Sequence, residues 1–141
     1  MDESVWLGVG VAGVMIAIGL VIAFTRKGSV AATRLGSRVI TLTSPVDPAS
    51  AYARLLHIAG YKVDDASPDA RTIILSSPPT FATWGFLYPV VIHPAGTGSR
   101  LELGIHSKVL QLGPLVTRAH TSCAAAIEAT LAVPAARIAS P

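Results

Sequence analysis

From Val5 to Phe24 the chain reads VWLGVGVAGVMIAIGLVIAF, with no charged, amide or proline residue. A helix of that length rises about 30 Å, the thickness of a bilayer's hydrocarbon core. In hydrocarbon every backbone N–H and C=O must be satisfied within the segment, so a lone span is predicted to be a helix. A cleaved signal peptide opens on a basic region and closes on a small-residue cleavage site. This run instead follows Asp2 and Glu3 and leads into Thr25-Arg26-Lys27-Gly28, with no good A-x-A site directly behind it. Residues 1–4 then form an extracytoplasmic N-terminus and 5–24 a transmembrane helix. Residues 25–37, polar, basic and small, read as a juxtamembrane linker.

The pattern changes after the linker. Val39 to Leu42 is β-branched and predicts a strand. Asp47 as N-cap and Pro48 at the first helical position open a helix. Its apolar stripe is Ala51, Tyr52, Leu55, Ile58 and Ala59, Gly60 ends it, and Arg54 and His57 face away. Strands follow at Tyr61–Asp65, at Arg71–Ser77 before Pro78-Pro79, and at about Gly85–His93. The Pro94-Ala95-Gly96-Thr97-Gly98 turn leads into Arg100–His106. There Leu101, Leu103 and Ile105 alternate with Arg100, Glu102 and His106. Gly113-Pro114 introduces a last helix, roughly Leu115 to Leu131, with Val116, Ala119, Cys123, Ile127 and Leu131 at helical spacing. Residues 132–141 read as a flexible tail.

Strand, helix, several strands and a long helix predict an α+β domain over 38–131. The expected form is a two-layer arrangement of an antiparallel sheet of about four to five strands with two helices on one face. In element order this is similar to an abbreviated helix-grip or polyketide-cyclase-like domain, in which a long C-terminal helix lies across a curved sheet.

Charge adds an orientation. Arg26, Lys27, Arg34 and Arg38 follow the span closely, and no Lys or Arg precedes it. The positive-inside rule puts the N-terminus outside and the domain in the cytoplasm, with these four residues at the lipid headgroups. Cys123 is the lone cysteine, so no intrachain disulfide forms. The net charge of +3 comes largely from the juxtamembrane cluster. The folded domain carries no basic stripe of the kind nucleic acid requires.

Few residues suggest chemistry. Gly8-Val9-Gly10-Val11-Ala12-Gly13 spells G-x-G-x-x-G, but no strand precedes it and no acid follows for the ribose, so it is a glycine-rich membrane helix. Gly8, Ala12, Gly19 and Ala23 fall on one stripe of that helix and would let a second helix approach closely. Phe81, Trp84, Phe86 and Tyr88 concentrate half of the eight aromatic residues in one stretch. With Leu87 they make a strand apolar on both faces, which is either covered twice or offers a partner or lipid surface. His93 and His106 are too far apart to share a metal. His120 and Cys123 lack the third group that a zinc site or a Cys-His catalytic pair requires, and Cys123 reads as a core residue. Asp64 and Asp65 read as a solvated strand end. No catalytic residue, metal site or cofactor is expected.

In size, topology and Ala-, Arg-, Val- and Pro-rich composition the chain resembles small single-pass accessory subunits of actinobacterial inner-membrane complexes, such as Mce-type lipid importers or respiratory supercomplexes. The resemblance implies a non-enzymatic subunit of a multi-subunit membrane complex, involved in lipid transport in the importer case. It would dock through its transmembrane helix and cytoplasmic domain. The alternative is a membrane-tethered binder of a small apolar ligand, with Tyr88, Leu103, Ile105 and Ile127 lining a pocket between sheet and last helix.

Overall fold

The structure, a computed structural model, describes residues 3–80, 83–109 and 113–134. An apolar helix α1 (Glu3–Thr25) precedes β1 (Val39–Ser44), α2 (Pro48–Leu55), β2 (Lys62–Ser67) and β3 (Thr72–Ser76). Then come β4 (Phe86–Ala95), β5 (Gly98–Gly104), β6 (His106–Ser107) and α3 (Pro114–Ala132). The fold is α+β. Its sheet is antiparallel with six strands in the order β1-β5-β4-β3-β2, and β6 pairs with the start of β4.

The extra strand has a chemical origin. Val90 pairs with Leu103 and Leu87 with His106, so the register runs unbroken from β5 into β6. Pro89 lies between them and has no N–H to donate. The predicted strand Arg100–His106 is therefore one run, interrupted where its neighbour lacks a donor.

α1 is long and apolar enough to cross a membrane. Its side chains from Val5 to Phe24 are mostly exposed, with Trp6, Leu7 and Phe24 each about two-thirds accessible. The other helices cover one face of the sheet. Asp47 caps α2 by accepting a hydrogen bond from the Ser50 N–H at 3.0 Å, with Pro48 in the first turn. α2 closes at Leu55, earlier than its stripe predicts. Leu56, His57 and Ile58 continue in tight turns, and Ala59 is exposed. Arg54, expected to point away, instead donates to the carbonyls of Leu131 and Val133 at 3.0 and 2.7 Å. It thereby satisfies the end of α3, where carbonyls have no helical partner. Gly113, at φ +94°, turns the chain into α3 at Pro114.

The predicted linker proves to be a docked strap. The N–H groups of Gly28 and Val30 donate to the carboxylates of Asp64 and Asp65, each at 2.8 Å. A bulge in β2 between Val63 and Asp65 supplies the extra residue that brings both acids to the strap. Gly28 lies flush on Ile74 and near Leu87, and the Leu35 carbonyl rests on Gly104. The His106 imidazole Nε2–H donates to the Arg34 carbonyl. The part of the opposite sheet face around Ile74, Leu87 and Gly104 is thus covered by the chain's own juxtamembrane segment, and the first half of β4 is buried on both sides.

Candidate functional site

The small-residue stripe of α1 divides in two. A β-carbon on Gly8 would meet nothing within 4 Å, and Ala12 is exposed. Gly19 and Ala23 are already covered: the Trp84 ring lies 3.4 Å from where a Gly19 β-carbon would stand, and Ala23 is fully buried. Half of the expected helix-packing surface is therefore covered within the chain, Gly19 by Trp84.

The aromatic stretch is corrected in the same way. Phe86 and Tyr88 are core residues, with rings 6.2 Å apart, and Tyr88 meets Tyr61 edge-on at 5.4 Å. Leu87 is buried on the opposite face, close to the strap. None of the three offers a surface. Trp84 is half-exposed beside α1, and Phe81 lies outside the described residues, as does the tail from residue 135. The loop that carries Trp84 satisfies much of its own backbone. Thr80 and Thr83 exchange N–H···O=C bonds at 2.7 and 3.3 Å, their hydroxyls lie 3.1 Å apart, and Pro78 and Pro79 have no N–H to place.

All four basic residues expected at headgroups, Arg26, Lys27, Arg34 and Arg38, are exposed. Arg38 also reaches Thr117 at 3.5 Å. Arg26 donates to the Lys108 carbonyl at 2.8 Å and ties the end of α1 to β6. Beside that bond lies a cleft of about 300 Å³, lined by Ala23, Phe24, Arg26, Lys27, Lys62, Asp64, Ser76, Pro78, Pro79 and Lys108. It gathers all three lysines of the chain. Lys108 is only 6% exposed. Its burial lowers the ammonium's pKa and Lys62 lowers it further, while Asp64 raises it. Lys62 and Lys108 escape a reading of the sequence because they converge only through strand register; the isolation of single lysines among apolar strands was the available signal.

The interior is packed where the apolar-ligand reading needs space. Tyr88, Leu103 and Ile127 are nearly or fully inaccessible within one cluster, and they line none of the four clefts described on the molecule. Ile105 and Val116 edge a second cleft of about 530 Å³, shared with Arg26, Arg38 and His106. Cys123 is in the core, where burial pushes its thiol up to about 12. His120, also buried, donates from Nε2 to the Leu103 carbonyl at 2.7 Å and joins α3 to the sheet. His93 faces Glu102 at 3.1 Å. No cluster of three metal-ligating side chains occurs among the described residues.

No family model matches the chain, and no curated protein sequence matches it significantly. Solved structures do. The crystal structure of Ara h 8.0201 superposes with a TM-score of 0.52 at 13% identity, covering 67% of this chain and 93% of that one. The solution structure of the Aha1 dimer from Colwellia psychrerythraea gives a TM-score of 0.48 at 11% identity, over 66% and 91% of the two chains. The first likeness shows a shared fold.

Proposed function

We propose that this chain is a membrane-anchored accessory subunit without catalytic activity of its own. In this reading α1 spans the inner membrane, the N-terminus lies outside, and the domain sits on the cytoplasmic face. One observation carries the proposal. α1 exposes apolar side chains and small residues along its outer two-thirds, while its last turns are built into the domain through Trp84, Ala23 and Arg26. A helix so joined to its domain suits a resident anchor better than a removable leader. Exposed apolar side chains need lipid or protein around them, and Gly8 and Ala12 leave room for a second helix to pack closely. The partner would be a multi-subunit membrane complex, and a lipid transporter is the class we favour.

The test is a gentle-detergent purification of the tagged chain from its native membrane, beside a Gly8→Leu/Ala12→Leu variant. Stoichiometric co-elution of a membrane complex, lost in the variant, is the expected result. A wild-type chain that elutes alone would overturn the reading. A tethered binder is the second reading, favoured by the fold shared with Ara h 8.0201. The packed interior moves any ligand of this domain to its perimeter.

A further inference from the structure

The cleft at the foot of α1 combines features that an ordinary surface groove lacks. Lys27, Lys62, Lys108 and Arg26 bring four positive charges to its wall against the single carboxylate of Asp64. That carboxylate is already engaged, accepting from the Gly28 N–H and from the Ser76 hydroxyl, each at 2.8 Å. Lys108 is only 6% exposed as a residue, and since no buried polar side-chain atom among the described residues lacks a hydrogen-bond partner, its ammonium keeps its access to the cleft. Crowding like charges around a partly desolvated ammonium is unfavourable unless something negative completes the arrangement. The apolar members, Ala23, Phe24, Pro78 and Pro79, lie where the span ends.

We infer that this cleft binds a phosphate group, supplied by an anionic phospholipid headgroup or by free phosphate. Ammonium groups hold phosphate oxygens as point charges and Arg26 adds directed N–H donors. Phosphate would meet the lysines while an acyl chain left along Phe24 and the two prolines. The site lies at the depth where headgroups begin if α1 spans the membrane. The lipid source rests on that reading; the phosphate site does not.

The full-length chain in neutral maltoside micelles is titrated with short-chain phosphatidylglycerol, phosphatidylcholine and inorganic phosphate, and occupancy is read by native mass spectrometry. Lys62→Ala/Lys108→Met is compared with Arg100→Gln/Arg118→Gln, which removes the same charge outside the cleft. We expect phosphatidylglycerol binding to weaken about tenfold or more in the lysine pair and less than about twofold in the arginine pair. Phosphatidylcholine should bind weakly throughout. Competition by inorganic phosphate would assign free phosphate as a sufficient ligand, and its failure to compete would assign the lipid. Equal losses in both pairs, or none in the lysine pair, would overturn the inference.

Should the lysine pair not fold, lysine acylation of the wild-type chain decides instead. Phosphatidylglycerol must shield Lys27, Lys62 and Lys108 where phosphatidylcholine does not, and equal acylation under the two lipids overturns the site. Carbonate extraction of native membranes checks the span separately. Release of the chain would sink the membrane reading and leave phosphate binding in micelles standing.

Discussion

Gly28 rests on Ile74 so closely that a β-carbon at residue 28 would overlap the Ile74 Cγ2 methyl. That contact fixes the strap to the sheet face opposite the helices, and its energetics can be measured. Gly28→Ala should lift the strap and cost about 1–3 kcal/mol of domain stability, as overpacking generally does. Trypsin should then cut more readily after Lys27 and Arg34. Ile74→Ala removes the obstructing methyl at a cost of about 2–5 kcal/mol of its own. In the double variant the Gly28→Ala penalty should shrink. Strict additivity of the two losses in urea unfolding would reject the contact as the cause.

The same strap is held electrostatically by Asp64 and Asp65. Asp64→Asn and Asp65→Asn keep the shape but weaken a charge-assisted acceptor for the Gly28 and Val30 N–H groups. Each should cost about 1–2 kcal/mol. Amide exchange at Gly28 and Val30 should accelerate in step. Unchanged exchange at both amides would mean that the carboxylates do not secure the strap.

Trp84 offers a measure of depth. It packs on Gly19, six residues before the end of α1, or roughly 9 Å along the axis. In a spanning chain Trp84 would therefore lie in the headgroup layer, where tryptophan is favoured. With Trp6→Phe leaving a single reporter, lipids brominated near the headgroup end of the acyl chain should quench Trp84 more than lipids brominated near the methyl end. Quenching by aqueous acrylamide alone would place the loop outside the bilayer.

Alkaline stability should depend on Cys123. Burial raises its thiol from 9.0 to about 12, so between those values the folded state holds a proton that the unfolded state has lost. The stabilisation is complete below pH 9 and declines as pH rises toward 12. Unfolding followed by circular dichroism should show a steeper loss in this range for the wild-type chain than for Cys123→Ala. Parallel declines would remove the thiol from the account. Tyr61 and Tyr88 hydroxyls are also raised, chiefly by burial and further by Cys123, so the two chains are compared in a Tyr61→Phe/Tyr88→Phe background.

The elements were legible where local chemistry and burial agree. Asp47-Pro48 and Gly113-Pro114 mark helix starts by capping and fixed φ, and Leu101, Leu103 and Ile105 alternate because one face of β5 is core. The strap was not legible. Gly28, Ser29 and Val30 carry no period of their own, and their order comes from Asp64, Asp65 and Ile74 in distant strands. Leu87 and Pro89 showed that β4 is apolar on both faces, and left open whether the second face is covered or offered to a partner or lipid. They could not say that the cover is the chain's own segment rather than a partner. The lysine cleft was hidden for a related reason: Lys27, Lys62 and Lys108 meet only after α1, β2 and β6 take their places.

A free tether of the 25–37 segment's length would stretch to about 45 Å and let the domain sweep a wide volume around the end of α1. Pinned at Gly28, Val30 and Leu35, it pays out none of that slack. If α1 spans a membrane, the domain cannot sweep for distant partners: its encounters would be confined to a thin layer around the foot of α1, and recognition would become a matter of lateral diffusion in two dimensions rather than of reach.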